Sequence, residues 1–431
     1  MVKTYLIHPQ LFSDRFSLVR QPSDKMDELY SLSKAINLDV VGSVLLNVSK
    51  INAATFIGTG KADDLKEVFE SLEVDLVVIN TSLSPIQQRN LEKKWGRKVI
   101  DRTGLILEIF GERAQTREGK LQVELASLTY ERSRLVRSWT HLERQRGGRG
   151  FLGGPGELQI ELDRRLLDTR IISLKKSLEK VKQTRALHRK SRQKNRCPHI
   201  ALVGYTNAGK STLFNALTGA DVYIENLLFA TLDPTLRSIK RSGGGEWILS
   251  DTVGFISDLP TELVAAFRAT LEEVHQANIL LHIHDVSNPE HKEQASDVLE
   301  VLKVLYLEEE APFILDVYNK IDLLDEEGQD YFLNKSKNER NSISISATTG
   351  LNQEDLLGKI QHLLSENHRM FEVSFSPDRS EILAWFYENA VILKREDKEK
   401  SIFLKVKLDE MAENRFNKVW RSACQKYMRV W

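Results

Sequence analysis

Eight residues near the middle of the chain, Gly204 to Ser211, constrain its fold most strongly, because they follow the spacing of a phosphate-binding loop. The apolar run 199–203 before them predicts a buried strand, and the run 212–217 after them predicts the start of a helix. In that context the glycines let backbone N–H groups converge on a polyphosphate, which the positive end of the helix also attracts. A glycine-rich turn without a ligand is the alternative, and the complete strand, loop and helix pattern disfavours it. The sequence therefore predicts nucleotide binding.

The side chains of this loop have distinct predicted roles. Lys210 reaches the β and γ oxygens of the nucleotide, and the Ser211 hydroxyl ligates magnesium. The other predicted nucleotide contacts of the loop are Gly204, Tyr205, Thr206, Asn207, Ala208, Gly209 and Thr212.

Length and composition set the broad class of protein. The chain has 431 residues, 41% of them hydrophobic, which is enough for about three globular domains. Lysine plus arginine equals aspartate plus glutamate, 61 of each, so only the distribution of charge can indicate a polyanionic partner. The cysteines, Cys197 and Cys424, lie far apart without metal-type spacing, which favours a reducing compartment over a disulfide scaffold or a zinc site.

The sequence shows no signal for export or membrane insertion. Residues 1–5 lack a secretory hydrophobic core, and no run of about twenty apolar residues occurs. We therefore expect a cytoplasmic protein without a membrane span, and leave weak peripheral membrane association open.

Residues 1–110 alternate strand-like and helix-like patterns, which favours an N-terminal α/β domain with a largely parallel sheet. Strands are predicted at 4–7, 40–48, 76–79 and 99–109, and helices at 24–36, 61–72 and 85–95. Within this domain, residues 56–61 resemble a second phosphate loop. They lack the four-residue spacer and the hydroxyl residue after the lysine, so an ordinary strand-to-helix turn is favoured.

From residue 111 to 196 the composition changes to leucine, glutamate, glutamine, lysine and arginine. Leucines recur at steps of about three and four residues, which predicts two long helices. The glycine-rich segment 147–156 cannot continue a helix, so the two should form an antiparallel hairpin with this segment at its tip. At about 1.5 Å per residue, arms of about thirty-five residues would carry the tip about 50 Å from the body.

Positive charge is concentrated on this hairpin, where lysine and arginine crowd residues 175–196. A basic run is usually a solvated helix face, but this one lies on the same hairpin as an arginine-bearing, glycine-rich tip with two apolar side chains. Contact with nucleic acid is therefore the favoured hypothesis, with basic groups on phosphates and an aromatic ring stacked on a base. The predicted RNA-binding residues are Arg146, Arg149, Phe151 and Leu152.

Residues 197–367 complete the nucleotide site. After the phosphate loop, a segment without periodicity is interpreted as a switch loop that offers Thr231 to magnesium and the γ-phosphate, with Thr235 in reserve. A strand then leads to Asp251, which would hold magnesium through water, and to Gly254, whose amide would sense the γ-phosphate. Further contacts are predicted at Phe229, Ala230, Leu232, Asp233, Thr252 and Val253. The predicted catalytic residues are Lys210, Thr231 and Gly254, and the predicted magnesium ligands are Ser211, Thr231 and Asp251.

The choice of base is predicted from residues 319–322. The Asp322 carboxylate can accept two hydrogen bonds from guanine N1 and N2, while Asn319 meets the major-groove edge of the purine. Adenine would leave that carboxylate unpaired, so the loop selects guanine and disfavours an adenosine-nucleotide enzyme. The predicted set is completed by Lys320, whose stem covers the ring, by Ile321, and by Ser346, Ala347 and Thr348, which supply an amide to the guanine O6.

These motifs, with residues 104–124 and 147–157, resemble the HflX family of ribosome-associated GTPases in the translation-factor class. The resemblance covers nearly the whole chain. It implies a P-loop GTPase domain with a mostly parallel sheet and helices on both faces. An α/β domain with the long hairpin would precede it, and a small α+β domain at 368–431 would follow. It also implies an enzyme that binds GTP with Mg²⁺ and hydrolyses it to GDP and phosphate.

The same resemblance implies binding to the large ribosomal subunit, with the tip near the peptidyl-transferase region, and splitting or rescue of stalled or idle ribosomes under stress. Off the ribosome we expect a monomer. Some family members also bind ATP through the N-terminal domain, which stays open here. The alternative function is a GTPase switch that docks on another structured RNA or a protein, in ribosome biogenesis, without splitting. Many relatives carry two threonines where this chain has Thr235 and Leu236, which puts the reserve threonine in doubt.

Position 255 holds a phenylalanine where many GTPases place the glutamine that orients the attacking water. The Phe255 ring can neither donate nor accept a hydrogen bond in that role. Intrinsic hydrolysis should therefore be slow, and we predict that the ribosome supplies or orders the missing polar group.

The other conspicuous side chains are interpreted as structural. His282 and His284 alternate along a predicted strand, without the spacing of metal ligands. In the C-terminal part, strands are predicted at 371–375 and 402–406, helices at 381–391 and at the end of the chain, and a charged turn after the first helix. The aromatic residues of this part are interpreted as core.

Overall fold

The computed structural model describes residues 2–11, 21–145, 155–194, 197–219, 228–229, 231–232, 235–240, 246–257, 273–306, 312–366, 368–398, 400–424 and 426–430. The chain divides into two compact units, Met1–Leu351 and Asn352–Trp431. Among the helices within these ranges, none is both long and apolar enough to cross a membrane.

The first unit begins with a four-stranded parallel sheet in the order β2-β1-β3-β4. Its strands are β1 (Lys3–Leu11), β2 (Asp39–Val48), β3 (Leu76–Ile79) and β4 (Lys98–Asp101). The helices that alternate with them are α1 (Pro22–Lys34), α2 (Thr59–Ser71) and α3 (Pro85–Trp95). Ser84 begins α3 with a capping box, in which the side chains of Ser84 and Gln87 each accept a hydrogen bond from the other's backbone amide. The predicted parallel α/β arrangement is confirmed.

The predicted strand at 99–109 is wrong beyond residue 101. The helix α4 (Arg102–Arg113) begins there, because the Asp101 side chain accepts a hydrogen bond from the Gly104 amide at 2.8 Å and caps the helix. Nearly every residue from 105 to 110 is buried. A helix buried on most sides shows no polar face, so its apolar run looks like that of a buried strand.

Two long helices follow, α5 (Arg117–Gln145) and α6 (Pro155–Lys194), and they pack against each other. The two helices run antiparallel. Arg132 of α5 pairs with Asp168 of α6, whereas Glu124, which lies earlier in α5, pairs with Arg170, which lies later in α6. The leucine spacing predicts the two helices, and the glycine-rich segment between them predicts their antiparallel arrangement. The tip of the hairpin, including Arg146, Arg149, Phe151 and Leu152, lies outside the described residues.

One buried carboxylate ties the middle of α5 to the end of β4. The side chain of Asp101 is 1% exposed and accepts hydrogen bonds from the backbone amides of Gly104 at 2.8 Å and Leu83 at 3.1 Å. It also accepts from the Tyr130 hydroxyl at 2.5 Å and from the Arg134 guanidinium at 2.6 Å, both on α5. Asp101 therefore joins the end of β4, the start of α4 and the hairpin.

A six-stranded sheet in the order β10-β9-β8-β5-β7-β6 forms the rest of the first unit, parallel except for β6. Its strands are β5 (His199–Gly204), β6 (Thr235–Lys240), β7 (Glu246–Asp251), β8 (Ile279–Asp285), β9 (Phe313–Asn319) and β10 (Ser342–Ser344). The helices described with it are α7 (Lys210–Thr218), α8 (His291–Leu305) and α9 (Glu326–Asn338). The central strands β5 and β8 are buried at nearly every position, as expected of a parallel sheet. This confirms the predicted α/β class.

The second unit is α+β, as predicted. It begins with α10 (Gln353–Glu366) and has an antiparallel sheet in the order β12-β13-β11-β14. Its other elements are β11 (His368–Phe375), α11 (Ser380–Asn389), β12 (Val391–Lys398), β13 (Ser401–Asp409), α12 (Glu410–Val419) and β14 (Lys426–Val430).

Two local predictions in this unit are wrong. The charged stretch after α11 is the edge strand β12 and not a turn, because at an edge charged side chains can pair along the strand, as Lys394 does with Glu396. The end of the chain is the strand β14 and not a helix, since Tyr427 stacks on Phe371 of the neighbouring β11 with ring centroids 5.0 Å apart. Tyr427 and Trp420 pack against the buried cluster of this unit, so these two aromatics belong to its core.

Candidate nucleotide-binding site

The loop between β5 and α7 has a backbone that depends on its glycines. Gly209 has φ +90°, a left-handed conformation that side chains rarely adopt, and Asn207 is also left-handed at φ 61°. A Cβ on Gly209 would lie 2.3 Å from Asn319 Nδ2, and one on Gly204 would lie 2.5 Å from the Ile283 carbonyl oxygen. The close approach of β8 and β9 therefore requires glycine at both ends of the loop.

Lys210 is buried against the loop that it follows. Its ammonium group donates hydrogen bonds to the carbonyl oxygens of Gly204 at 3.1 Å and Tyr205 at 2.7 Å. Burial lowers the pKa of Lys210 to about 8, and the charge of Asp251 opposes this shift. Because charge-assisted bonds to phosphate are stronger than bonds to carbonyl oxygens, a polyphosphate is a better partner for this ammonium group.

Three oxygen-bearing side chains meet at the start of α7. Ser211 Oγ donates to Asp251 Oδ2 at 2.6 Å, and Thr231 Oγ1 lies 2.8 Å from Ser211 Oγ and 3.1 Å from Asp251 Oδ2. Burial raises the pKa of Asp251, while hydrogen bonds from Ser211 and Thr231 oppose the shift. Within the described residues, the buried Asp251 Oδ1 has no hydrogen-bond partner. A buried, partnerless carboxylate oxygen beside two hydroxyl groups is a hard-oxygen donor set, so these three residues fit Mg²⁺.

The segment after β7 lies directly against the phosphate loop. The Thr206 amide donates to the Phe255 carbonyl oxygen at 2.8 Å, and the Phe255 amide donates to the Gly204 carbonyl oxygen at 3.1 Å. A Cβ on Gly254 would lie 2.8 Å from Thr206 Cα and 3.1 Å from Lys210 Nζ, so only glycine fits there. The Phe255 ring is buried in the hydrophobic core, which removes it from the hydrolysis reaction.

Asn319 joins residues 319–322, the base-reading loop, to the phosphate loop. Its Nδ2 donates to the Ala208 carbonyl oxygen at 2.9 Å, and its Oδ1 accepts from the Ala347 amide at 3.0 Å. Both ends of the amide thus bind backbone groups, so Asn319 holds the two loops together in addition to any contact with a purine. Ser346 and Ala347 are buried and Thr348 is exposed.

The neighbouring residues of the base-reading loop differ in their contacts. Lys320 immediately precedes the turn Ile321–Leu323, and its Nζ pairs with Asp285 Oδ2 at 2.6 Å. Asp322 is exposed in that turn, and within the described residues its carboxylate has no hydrogen bond. An exposed carboxylate without a partner is free to accept hydrogen bonds from a guanine base.

The side chains of several predicted nucleotide contacts are used in the fold. Thr252 Oγ1 donates to the Leu202 carbonyl oxygen at 2.6 Å. Phe229 packs edge to face on Phe110 of α4 with ring centroids 4.7 Å apart, and Leu232 and Val253 belong to the same buried cluster. A nucleotide contact from these residues would therefore come from the backbone. Ala230 and Asp233 lie outside the described residues.

A buried polar network that sequence reasoning missed joins the first sheet to this site. Arg102 Nη2 donates to Glu28 Oε2 at 2.8 Å and to Ser257 O at 3.0 Å, while Nη1 donates to Asn80 Oδ1 at 2.8 Å. The Tyr205 hydroxyl donates to Glu28 and accepts from the Ser257 amide at 2.9 Å. These residues are far apart in sequence and form no motif, so no local signal marks them.

Comparison with known proteins identifies the family. Four family descriptions match consecutive parts of the chain: GTP-binding GTPase N-terminal at 23–111, GTP-binding GTPase middle region at 113–192, 50S ribosome-binding GTPase at 199–320, and HflX C-terminal domain at 331–423.

Curated relatives match most of the chain. GTPase HflX of Magnetococcus marinus is 51% identical, covering 86% of this chain and 84% of that protein. GTPase HflX of Escherichia coli is 42% identical, covering 94% and 92%. A solved GTP-binding protein of Sulfolobus solfataricus in complex with GDP is 26% identical with a TM-score of 0.44, covering 85% of this chain and 99% of that one. Because it is 51% and 42% identical to the two curated HflX proteins over most of its length, the chain belongs to the HflX family of GTPases, and GTP binding and hydrolysis follow from that membership.

Proposed function

We propose that this protein binds the large ribosomal subunit in its GTP state, and that the hairpin then acts on ribosomal RNA to split or rescue stalled or idle ribosomes. The match of residues 199–320 to a family of 50S ribosome-binding GTPases supports the choice of partner. The proposed sequence of events is GTP binding, docking of the hairpin, and hydrolysis that resets the protein.

The observation that carries this proposal is the packing between the switch segment and the base of the hairpin. Phe229 and Leu232, on either side of Thr231, belong to one buried cluster with Phe110 of α4 and Val123 of α5. Thr231 itself lies 2.8 Å from Ser211 at the candidate magnesium site. A change in the switch segment on GTP hydrolysis would therefore be felt at the base of the hairpin.

The outgoing arm of the hairpin has a surface suited to RNA. Ile171, Leu174 and Leu178 of α6 are buried, whereas Lys175 and Lys176 between them are exposed. A helix with one apolar face in contact with its partner and basic residues on another face can bind phosphates without unfolding. The tip residues Arg146, Arg149, Phe151 and Leu152 are proposed to reach the RNA near the peptidyl-transferase region.

For hydrolysis, the chain supplies positioning and charge but no water-orienting glutamine. Lys210 would bind the β- and γ-phosphates, Gly254 would approach the γ-phosphate through its amide, and Ser211, Thr231 and Asp251 would hold Mg²⁺. The ion supplies neutralisation of the charge that develops on the phosphates. Because Phe255 is buried in the core, we propose slow intrinsic turnover that the ribosome accelerates.

A sucrose-gradient profile of ribosomes tests the function. Intact ribosomes mixed with the protein and a non-hydrolysable GTP analogue should release free subunits, and the protein should sediment with the large one. The control is the chain with residues 147–156 deleted, which should bind the nucleotide with unchanged affinity and release no subunits. Ribosome binding without release of subunits would favour the alternative, a GTPase switch that does not split ribosomes.

Measurement of phosphate release tests the regulatory part separately. Turnover should rise by orders of magnitude when purified large subunits are added, as trans-acting groups do for other GTPases. Equal turnover with and without large subunits would contradict activation by the ribosome. It would not bear on the splitting assay, which uses a non-hydrolysable analogue.

A further inference from the structure

Two histidines and one aspartate converge on the sheet of the nucleotide domain, on strands β8 and β9. His282 and His284 are two residues apart on β8, so their side chains lie on the same face of the sheet. In the parallel register of β8 and β9, His282 is the partner of Asp316. The third group thus comes from a neighbouring strand, and spacing along the sequence cannot reveal it.

A nitrogen of each histidine lies beside the same carboxylate oxygen of Asp316. Asp316 Oδ1 lies 3.2 Å from His282 Nδ1 and 2.9 Å from His284 Nε2, and all three ligand atoms lie within 4.8 Å of one another. Among the described residues, no other group of three or more histidine, cysteine, aspartate or glutamate side chains converges in this way.

We propose that His282, His284 and Asp316 form a binding site for a borderline transition-metal ion, with Zn²⁺ as its representative. Imidazole nitrogens and a carboxylate are ligands that Zn²⁺ accepts, and three protein ligands leave a fourth position for water. Around a tetrahedral ion with bonds of about 2.0–2.1 Å, neighbouring ligand atoms lie about 3.3 Å apart. The two nitrogen–oxygen separations need to open by at most about 0.4 Å to reach this value, and the two histidine nitrogens, which lie within 4.8 Å of each other, need to come to a similar distance.

Burial and access also suit an ion. The side chains of His282 and His284 are 1% and 7% exposed, which holds the rings in place, while that of Asp316 is 38% exposed and gives an entry path. Lys335 of α9 lies over the Tyr318 ring with its Nζ 4.6 Å from the ring centroid. It is therefore held by the ring and does not occupy the carboxylate as an ion pair.

The site is also distinct in chemistry from the candidate magnesium site. Ser211, Thr231 and Asp251 offer oxygen ligands alone, whereas two of the three ligands here are nitrogen. The two sites lie on one domain, and His284 immediately precedes Asp285, the partner of Lys320. An ion that links β8 to β9 would fix these strands just before they reach the base-reading loop.

The experiment uses the full chain, stripped with a chelator and then held in excess GDP and Mg²⁺ so that the oxygen-ligand site is filled. Zn²⁺ is titrated in competition with a chromogenic chelator, and Co²⁺ is added separately for its visible spectrum. Wild type should bind one Zn²⁺ tightly and give the intense absorption of tetrahedral Co²⁺. The variants His284→Gln and Asp316→Asn should lose affinity by about 100-fold, since loss of even an outer partner of a metal ligand costs up to that much.

The matched control is His291→Gln, a change of a nearby histidine outside the cluster, which should keep wild-type affinity. Retained GDP binding shows that each variant is folded. The Co²⁺ spectrum of wild type needs no variant and remains decisive if the substituted chains do not fold. A weak octahedral Co²⁺ spectrum, or equal Zn²⁺ affinity in all four proteins, would overturn the proposal and leave the three groups as a hydrogen-bonded cluster.

Discussion

Replacing Arg102 with methionine should destabilise the segment that follows β7, because the buried network at Arg102 would lose its centre. The Arg102 side chain is 6% exposed and its ion-pair partner Glu28 is 15% exposed. Methionine would leave Glu28 charged without its cation, and Ser257 O and Asn80 Oδ1 without their donor. Removal of one partner from a buried ion pair costs about 3–5 kcal/mol.

The hydrogen bonds that Glu28 keeps in the variant narrow the expected free-energy cost. Glu28 keeps hydrogen bonds from the Tyr205 hydroxyl and from Ser257 Oγ at 3.1 Å, so we expect the lower end of the range, about 3 kcal/mol. Every 1.4 kcal/mol corresponds to a factor of ten, so amide protection against hydrogen exchange in peptides covering 246–257 should fall by about 100-fold.

A matched control and a double-mutant cycle make this prediction specific. Arg170 forms an ion pair with Glu124 on the hairpin, but its side chain is 58% exposed, so Arg170→Met should cost less than about 1 kcal/mol. Combining Glu28→Gln with Arg102→Met should cost less than the sum of the single changes, because the unpaired charge is removed. Equal protection in Arg102→Met and Arg170→Met, or strictly additive effects in the cycle, would refute the reasoning.

Three further predictions concern the nucleotide. Asp322→Asn should shift the preference from guanosine to xanthosine nucleotides, measured by competition with a fluorescent GDP analogue, and retained guanine preference would contradict the base-reading role. Gly254→Ala places a methyl group 2.8 Å from Thr206 Cα, so phosphate release should slow at least about tenfold while GDP affinity changes less, and unchanged turnover would count against this placement. Asn319→Ala removes two buried hydrogen bonds, one to the Ala347 amide, and at about 1 kcal/mol or more each should weaken GDP binding by at least about tenfold in direct titration.

The features predicted from the sequence are those set by contiguous residues. The phosphate loop needs Gly209 because of its own backbone, and the leucine repeat marks α5 and α6 as helices even though Leu162 and Leu166 are exposed. Both signals are local, so the sequence alone carries them. The order of strands and helices in the first sheet is predictable for the same reason.

The features that sequence reasoning missed depend on partners distant along the chain. The helix α4 looks like part of a strand because its burial comes from other elements, and β14 is a strand because β11 lies beside it. Asp316 joins His282 only through the register of two strands, and Ser257 meets Arg102 across 155 positions of sequence. Contacts between residues distant in sequence determine these features, and local sequence propensity carries no information about such contacts.

The adjacency of Asp101 and Arg102 has a mechanical consequence. Asp101 accepts hydrogen bonds from Tyr130 and Arg134 of the hairpin, and Arg102 donates to Ser257 in the segment after β7. Two adjacent residues therefore hold the hairpin and the segment after β7, with a single peptide bond between them. A force on α5 at Tyr130 and Arg134 would reach the segment 251–257 through two neighbouring residues, and loss of the Arg102 contacts would uncouple the two.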